Sequence, residues 1–160
     1  MHWAAAIETL ILIGVANSAP VVGGLALRGW MNRPLDGGAS WFDGRPLFGS
    51  SKTVRGLALS LVVTAAAASV IGRGPIFGLS IAALAMAGDL VSSFVKRRLA
   101  LPSGATAPLL DQVPESLLPA LFAVWSLAFG VAETAAFVLA FSILGLLLST
   151  ALRRIRGGEA

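Results

Sequence analysis

A chain of 160 residues that is 56% hydrophobic and only 12% charged, with a mean hydropathy of +0.84, is too apolar for a soluble domain. Its net charge of +4 suits anionic headgroups and phosphates, and without a basic stripe interleaved with aromatics it gives no sign of a nucleic-acid partner. With no cysteine, a disulfide framework and a thiolate metal site are both excluded.

Roughly 20 apolar residues span a bilayer as a helix, which leaves room here for about five spans. The hydropathy pattern puts them at Ala4–Leu27, Gly56–Ile71, Pro75–Val95, Leu117–Ala132 and Thr134–Leu152. The expectation is an all-α integral membrane protein, a single domain over residues 1–160. The first segment lacks a basic leader and a clean A-x-A site, so it reads as a span rather than a signal peptide.

Basic residues gather on alternate connections. Arg28, Arg33, Arg45, Lys52 and Arg55 lie in or bound the first, Lys96, Arg97 and Arg98 follow the third span, and Arg153, Arg154 and Arg156 form the tail. Only Arg73 lies on the other side. By the positive-inside rule the N-terminus is outside, and both long polar loops and the C-terminus are cytoplasmic.

In chain order, the first polar feature is Asn17-Ser18-Ala19-Pro20 near the cytoplasmic end of span one. Pro20 frees a backbone carbonyl and kinks the helix, and Asn17 and Ser18 can satisfy the exposed backbone. Glu8 is expected at the opposite interface, and His2, at the terminus, is no candidate base. The loop DGGASWFDGRPLFGSSKTVRG, Asp36 to Gly56, is rich in glycine and cations. Gly44 and Gly49 have the spacing of a Walker A loop, but Lys52 falls two places late and no strand precedes it, so that reading fails. Thr53 can cap the second helix, whose N-terminus then offers donors to an anion.

In the third span Asp89 is a carboxylate at membrane depth, which costs several kcal/mol and points to function. Asp89, Ser92, Ser93 and Lys96 fall at i, i+3, i+4 and i+7, on one face. They form either a metal-and-phosphate ladder or a stretched Asp89–Lys96 ion pair. Beyond Arg98, Pro102, Gly104, Pro108 and Pro114 argue for a structured loop that brings Asp111 back beside Asp89. Two carboxylates there suit a divalent cation.

Four stretches, in order, carry a family resemblance: NSAP (Asn17–Pro20), DGRPLFGSSKTVRG (Asp43–Gly56), GDLVSSFVKRR (Gly88–Arg98) and PLLDQ (Pro108–Gln112). Together they resemble the CDP-archaeol synthase family, within the membrane CTP-transfer enzymes that include phosphatidate cytidylyltransferase. Ser18, where members usually have Ala, and Val54, where they commonly have an aromatic, are departures. The resemblance implies that CTP and a lipid phosphate, a prenyl-ether glycerol phosphate, give a CDP-lipid and pyrophosphate with Mg²⁺. It implies that Asp89 and Asp111 hold Mg²⁺ and that Lys52, Arg55, Lys96 and Arg97 grip phosphates. Asn17, Thr53 and the Gly44–Gly49 loop would shape the nucleotide pocket. The same chemistry on a diacylglycerol phosphate or another isoprenoid phosphate is the alternative. A small cation-coupled transporter is the alternative of another class, but it would spread polar residues over several helices at the midplane.

Overall fold

The computed structural model describes residues 3–27, 29–105, 107–127 and 130–157. His2, Arg28 and the side chains of Arg153, Arg154 and Arg156 lie outside the described residues. Five helices follow one another: α1 (Trp3–Ala26), α2 (Val54–Val70), α3 (Pro75–Arg98), α4 (Pro108–Leu127) and α5 (Val131–Gly157). By length and composition α1 and α3 can each cross a membrane, while α2 and Val131–Ile143 of α5 are shorter apolar helices. Apolar side chains facing outward, among them Val21, Val70 and Trp125, suit a hydrocarbon surround.

The first three helices start where the hydropathy pattern puts them, to within two residues, but α4 begins nine residues earlier than expected. The segment carrying Asp111 is therefore the first turn of a helix and not a loop. Proline is welcome at the first helical position, and Asp111 Oδ2 reaches back to accept from the Ala107 amide at 2.9 Å, close to a capping box. Pro114 and Pro119 sit inside α4, as Pro20 does inside α1, a placement that neighbouring helices make tolerable in membrane bundles.

Helix α3 is central, packing on α1, α2 and α4, and α5 completes the bundle against α4. The core is small: Leu12, Ile13 and Ala16 of α1 meet Ala68 of α2, Ile81, Ala82 and Ala85 of α3, and Ala120 and Ala123 of α4. Small residues let backbones close in. A Cβ on Gly78 would lie 2.5 Å from Thr64 O and 2.8 Å from Ala65 Cα, so the alanine run of α2 is a packing face. A Cβ on Gly88 would lie 2.2 Å from Pro114 O and 2.7 Å from Glu115 N. There α3 and α4 touch backbone to backbone.

Both long connections lie at one end. Ser51 N donates to Ser103 Oγ at 3.1 Å and Arg45 Nη1 to Arg98 O at 2.5 Å, tying the α1–α2 loop to the α3–α4 loop. At the far end Glu8 pairs with Arg73 at 2.5 Å. Inside the first loop Asp36 is the organiser: Oδ1 accepts from Gly38 N at 2.9 Å, and Oδ2 accepts from Phe48 N at 2.9 Å and Gly49 N at 3.0 Å. Burial pushes the Asp36 carboxyl up, but the amides of Phe48, Gly38 and Gly49 outweigh it and hold it below the ordinary carboxylate value.

Two expectations follow. Gly88→Ala should destabilise the bundle by about 1–3 kcal/mol through overpacking, while Gly14→Ala, where a Cβ meets nothing within 4 Å, should be neutral by thermal unfolding in detergent. Because the Asp36 carboxyl is depressed, its contribution is complete above the usual carboxylate range and is lost as pH falls through its folded value. Protease nicking within residues 36–49 should therefore quicken below about pH 4. Asp36→Asn should show the fast nicking at neutral pH, and equal rates for the variant and the parent would refute this role.

Candidate active site

A cavity of about 780 Å³ opens between the α1–α2 loop and helices α1 to α4. Its polar wall holds Asn17, Lys52, Thr53, Arg55, Asp89 and Glu115; Val21, Leu25, Leu57, Met86 and Leu90 make the apolar wall. Thr53 is the N-cap of α2, its hydroxyl accepting from Gly56 N at 3.1 Å. A Cβ on Gly56 would lie 3.1 Å from the Pro20 ring, so its absence lets the first turn of α2 settle on α1. Lys52, one residue before the cap, is thereby aimed inward. Its Nζ lies 2.5 Å from both oxygens of Asp89.

Arg55 is buried and donates to Leu27 O and Trp30 O at 3.2 Å and to Asn32 Oδ1 at 3.3 Å. It clamps the chain leaving α1 while facing the cavity. Asn17 does not serve the backbone around Pro20: its Nδ2 donates to Glu115 Oε2 at 2.9 Å, and its Oδ1 is buried without a partner. Glu115 in turn lines the same cavity as Asp89 and lies in the electrostatic reach of Asp89, Lys52 and Asp111. Asp89, Glu115 and the free Asn17 oxygen are hard donors converging on one space.

Of the expected Asp89–Asp111 pair, Asp89 alone lines the cavity. Asp111 lies outside the cavity lining and pairs with Lys96 at 2.6 Å, an ion pair without hydrogen-bond geometry. Lys96 also donates to Ala105 O at 3.0 Å. The Asp89–Lys96 alternative fails as well, because two helical turns separate them by about 10 Å and Lys52 reaches Asp89 from the loop. Ser92 and Ser93, with Lys96, are buried in the bundle, and Ser92 Oγ returns to Asp89 O at 2.9 Å. The face predicted from spacing is real but points into packing. Among the described residues no group of three or more His, Cys, Asp or Glu is arranged to hold a metal ion.

Other predicted groups are placed around the cavity rather than in it. Gly44, at φ 75°, makes an exposed turn. Gly49, at φ 91°, gives its amide to Asp36, so the glycine loop's amides at 48 and 49 already have an acceptor. Arg97 is buried and donates to Pro102 O at 2.7 Å. With Asp36, Ser50 and Ser103 it lines a second cavity of about 400 Å³. Glu115 was missed because its stretch was read as loop; had α4 been started at Pro108, the i, i+4 spacing of Asp111 and Glu115 would have flagged it. Asp36 was legible as an Asx turn before Gly-Gly.

Comparison with known proteins gives the chain its family. A family model described as CarS-like, CDP-archaeol synthase, matches residues 6–153. The CDP-archaeol synthase of Hyperthermus butylicus is 41% identical over 104 residues, 61% of this chain and 59% of the relative. That of Aeropyrum pernix is 39% identical over 116 residues, covering 67% and 63%. The chain thus spans about three fifths of the length of these curated relatives. A solved structure described as an intramembrane enzyme for archaeal membrane lipids biosynthesis superposes with a TM-score of 0.75 at 33% identity, covering 91% of this chain and 92% of that one. With the family match running nearly end to end, the chain belongs to the CarS-like CDP-archaeol synthase family.

Proposed function

We propose that the protein transfers CMP from CTP to a membrane lipid phosphate, a prenyl-ether glycerol phosphate of the archaeol type. The observation that carries this reading is the two-sided cavity: cations and carboxylates on one wall, aliphatic side chains of α1, α2 and α3 on the other. A charged headgroup and its lipid chain need that combination. Apart from Glu8–Arg73, the ion pairs gather at one end, and the hydrophobic core beyond includes Leu12, Ile13, Ala16 and Ile81. A transport path through the bundle is not favoured by that.

In the reaction an oxygen of the lipid phosphate bonds to the α-phosphorus of CTP, and the bond from that phosphorus to the bridging oxygen breaks, releasing pyrophosphate. The attacking oxygen already carries its charge, so no strong base is needed. What the protein supplies is positioning and cationic screening between two anions. Lys52 is the cation best placed for a phosphate oxygen, and Arg55 with the capped N-terminus of α2 lies beside it. Arg97 and Lys96 hold the second loop, and Gly44 and Gly49 shape the first.

The donor set fits Mg²⁺: the Asp89 and Glu115 carboxylates and the unpartnered Asn17 oxygen are all hard ligands. Asp111, a turn before Glu115, is the further carboxylate that the family pattern assigns to the metal. Bound there, Mg²⁺ would neutralise charge on the triphosphate. The loops and C-terminus are proposed to be cytoplasmic and the N-terminus outside, with all five helices spanning; the separation of Glu8–Arg73 from the other basic groups supports this.

Purified protein given labelled CTP, Mg²⁺ and a panel of prenyl-ether, diacyl and free isoprenoid phosphates should form a CDP-lipid with the prenyl-ether substrate, and EDTA should stop it. No product from any lipid phosphate would sink the proposal. Asp89→Asn and Asp111→Asn should each lower turnover by at least about 100-fold, and Lys52→Met similarly, with unfolding temperatures kept near that of the parent. Glu115→Gln at parental activity would remove Glu115 from the metal set without touching the reaction.

A further inference from the structure

Residues 40–46 form a tight hairpin within the first loop, closed by Trp41 N to Arg45 O at 2.8 Å and Gly44 N to Trp41 O at 2.9 Å. At its tip Phe42 is 96% exposed and Trp41 is partly so. The hairpin is held to the end of α3. Arg98 pairs with Asp43 and donates to Arg45 O at 3.1 Å and Pro46 O at 2.6 Å. The Trp41 ring meets Phe94 edge-on, with centroids 5.3 Å apart, and the Arg98 guanidinium lies 5.0 Å from the centroid of the same Phe94 ring.

Phe94 is one turn before Arg98, at the basic end of a helix long enough to cross the membrane. The tip is therefore level with the last turn of a span, on the outside of the bundle, about 6 Å inside its basic end. We propose that this tip is an interfacial anchor: Phe42 and Trp41 enter the headgroup and upper acyl region of the bilayer, and the exposed Arg45 beside them meets anionic headgroups. Aromatic rings prefer that depth, and basic groups near an anionic surface add to the attraction. The occupant is the bilayer rather than a second copy. The patch is two side chains ringed by Asp43, Arg45 and Arg98, far from the roughly 800 Å² per partner of a stable interface. The same loop carries Asp36 and Lys52, so the anchor would tie the cavity's cover to the membrane surface. The inference rests on the family's membrane setting and not on the proposed reaction.

Because the chain has no cysteine, Phe42→Cys and, at the hairpin base, Ala39→Cys each give one nitroxide site in the full-length protein. In phosphatidylcholine–phosphatidylglycerol vesicles, the label at position 42 should collide with oxygen in preference to a water-soluble nickel chelate. It should be shielded from the chelate severalfold relative to position 39. Equal chelate access at the two positions would overturn the proposal. So would shielding at position 42 that disappears as protein is diluted in lipid, which would mean a second copy covers it. Unfolding temperatures near the parent's confirm that both labelled variants are folded.

Discussion

The site depends on one close approach: α3 and α4 meeting backbone to backbone at Gly88. Because no side chain intervenes there, the next residue on α3, Asp89, shares one cavity with Glu115 on α4. Asn17 of α1 closes the group from the third side at 2.9 Å. A larger residue at position 88 would separate the helices and with them the carboxylates, whatever the rest of the chain did. The glycine is thus a statement about Glu115, twenty-seven positions away in sequence.

Electrostatics then decides which partners meet. Two carboxylates at one end of an apolar bundle need countercharge, and each obtains its own lysine: Asp89 from the loop through Lys52, Asp111 from α3 through Lys96. Removing either partner would leave a poorly solvated charge, which is why such pairs are strongly held even where they add little net stability. The arrangement also pre-positions cations where anionic reactants would arrive. Lys52 directly precedes the Thr53 cap of α2, and Lys96 donates to the Ala105 carbonyl.

The two loops behave as one cover. Asp36 organises the first from within through three amides, and Arg98 and Ser103 fasten it to the second. Part of the glycine-rich segment is shaped around an internal carboxylate, which takes the amides of Gly38, Phe48 and Gly49. On the proposed function, the segment's contribution to binding an anion includes where it delivers Lys52. On the proposed function, this gives the cover a structural role and the helix ends the chemical one.

Composition and hydropathy were enough to determine an all-helical, membrane-type chain. Its helices were legible because apolar runs of span length have no other stable form in lipid. The Thr53 cap was also readable, since it depends on local spacing. The motif order was enough to point to the family. What the sequence could not show was partnership. Helical arithmetic put Lys96 on the face of Asp89, with a stretched ion pair as one alternative, but the loops brought Lys52 to Asp89 and left Lys96 to Asp111. Asp111 was expected in a loop because prolines surround it, and only its own reach to the Ala107 amide made that segment a helix. Glu115 entered the site through the Gly88 approach. Each of these turns on distances between segments far apart in the chain, which local pattern does not encode and the packed bundle alone decides.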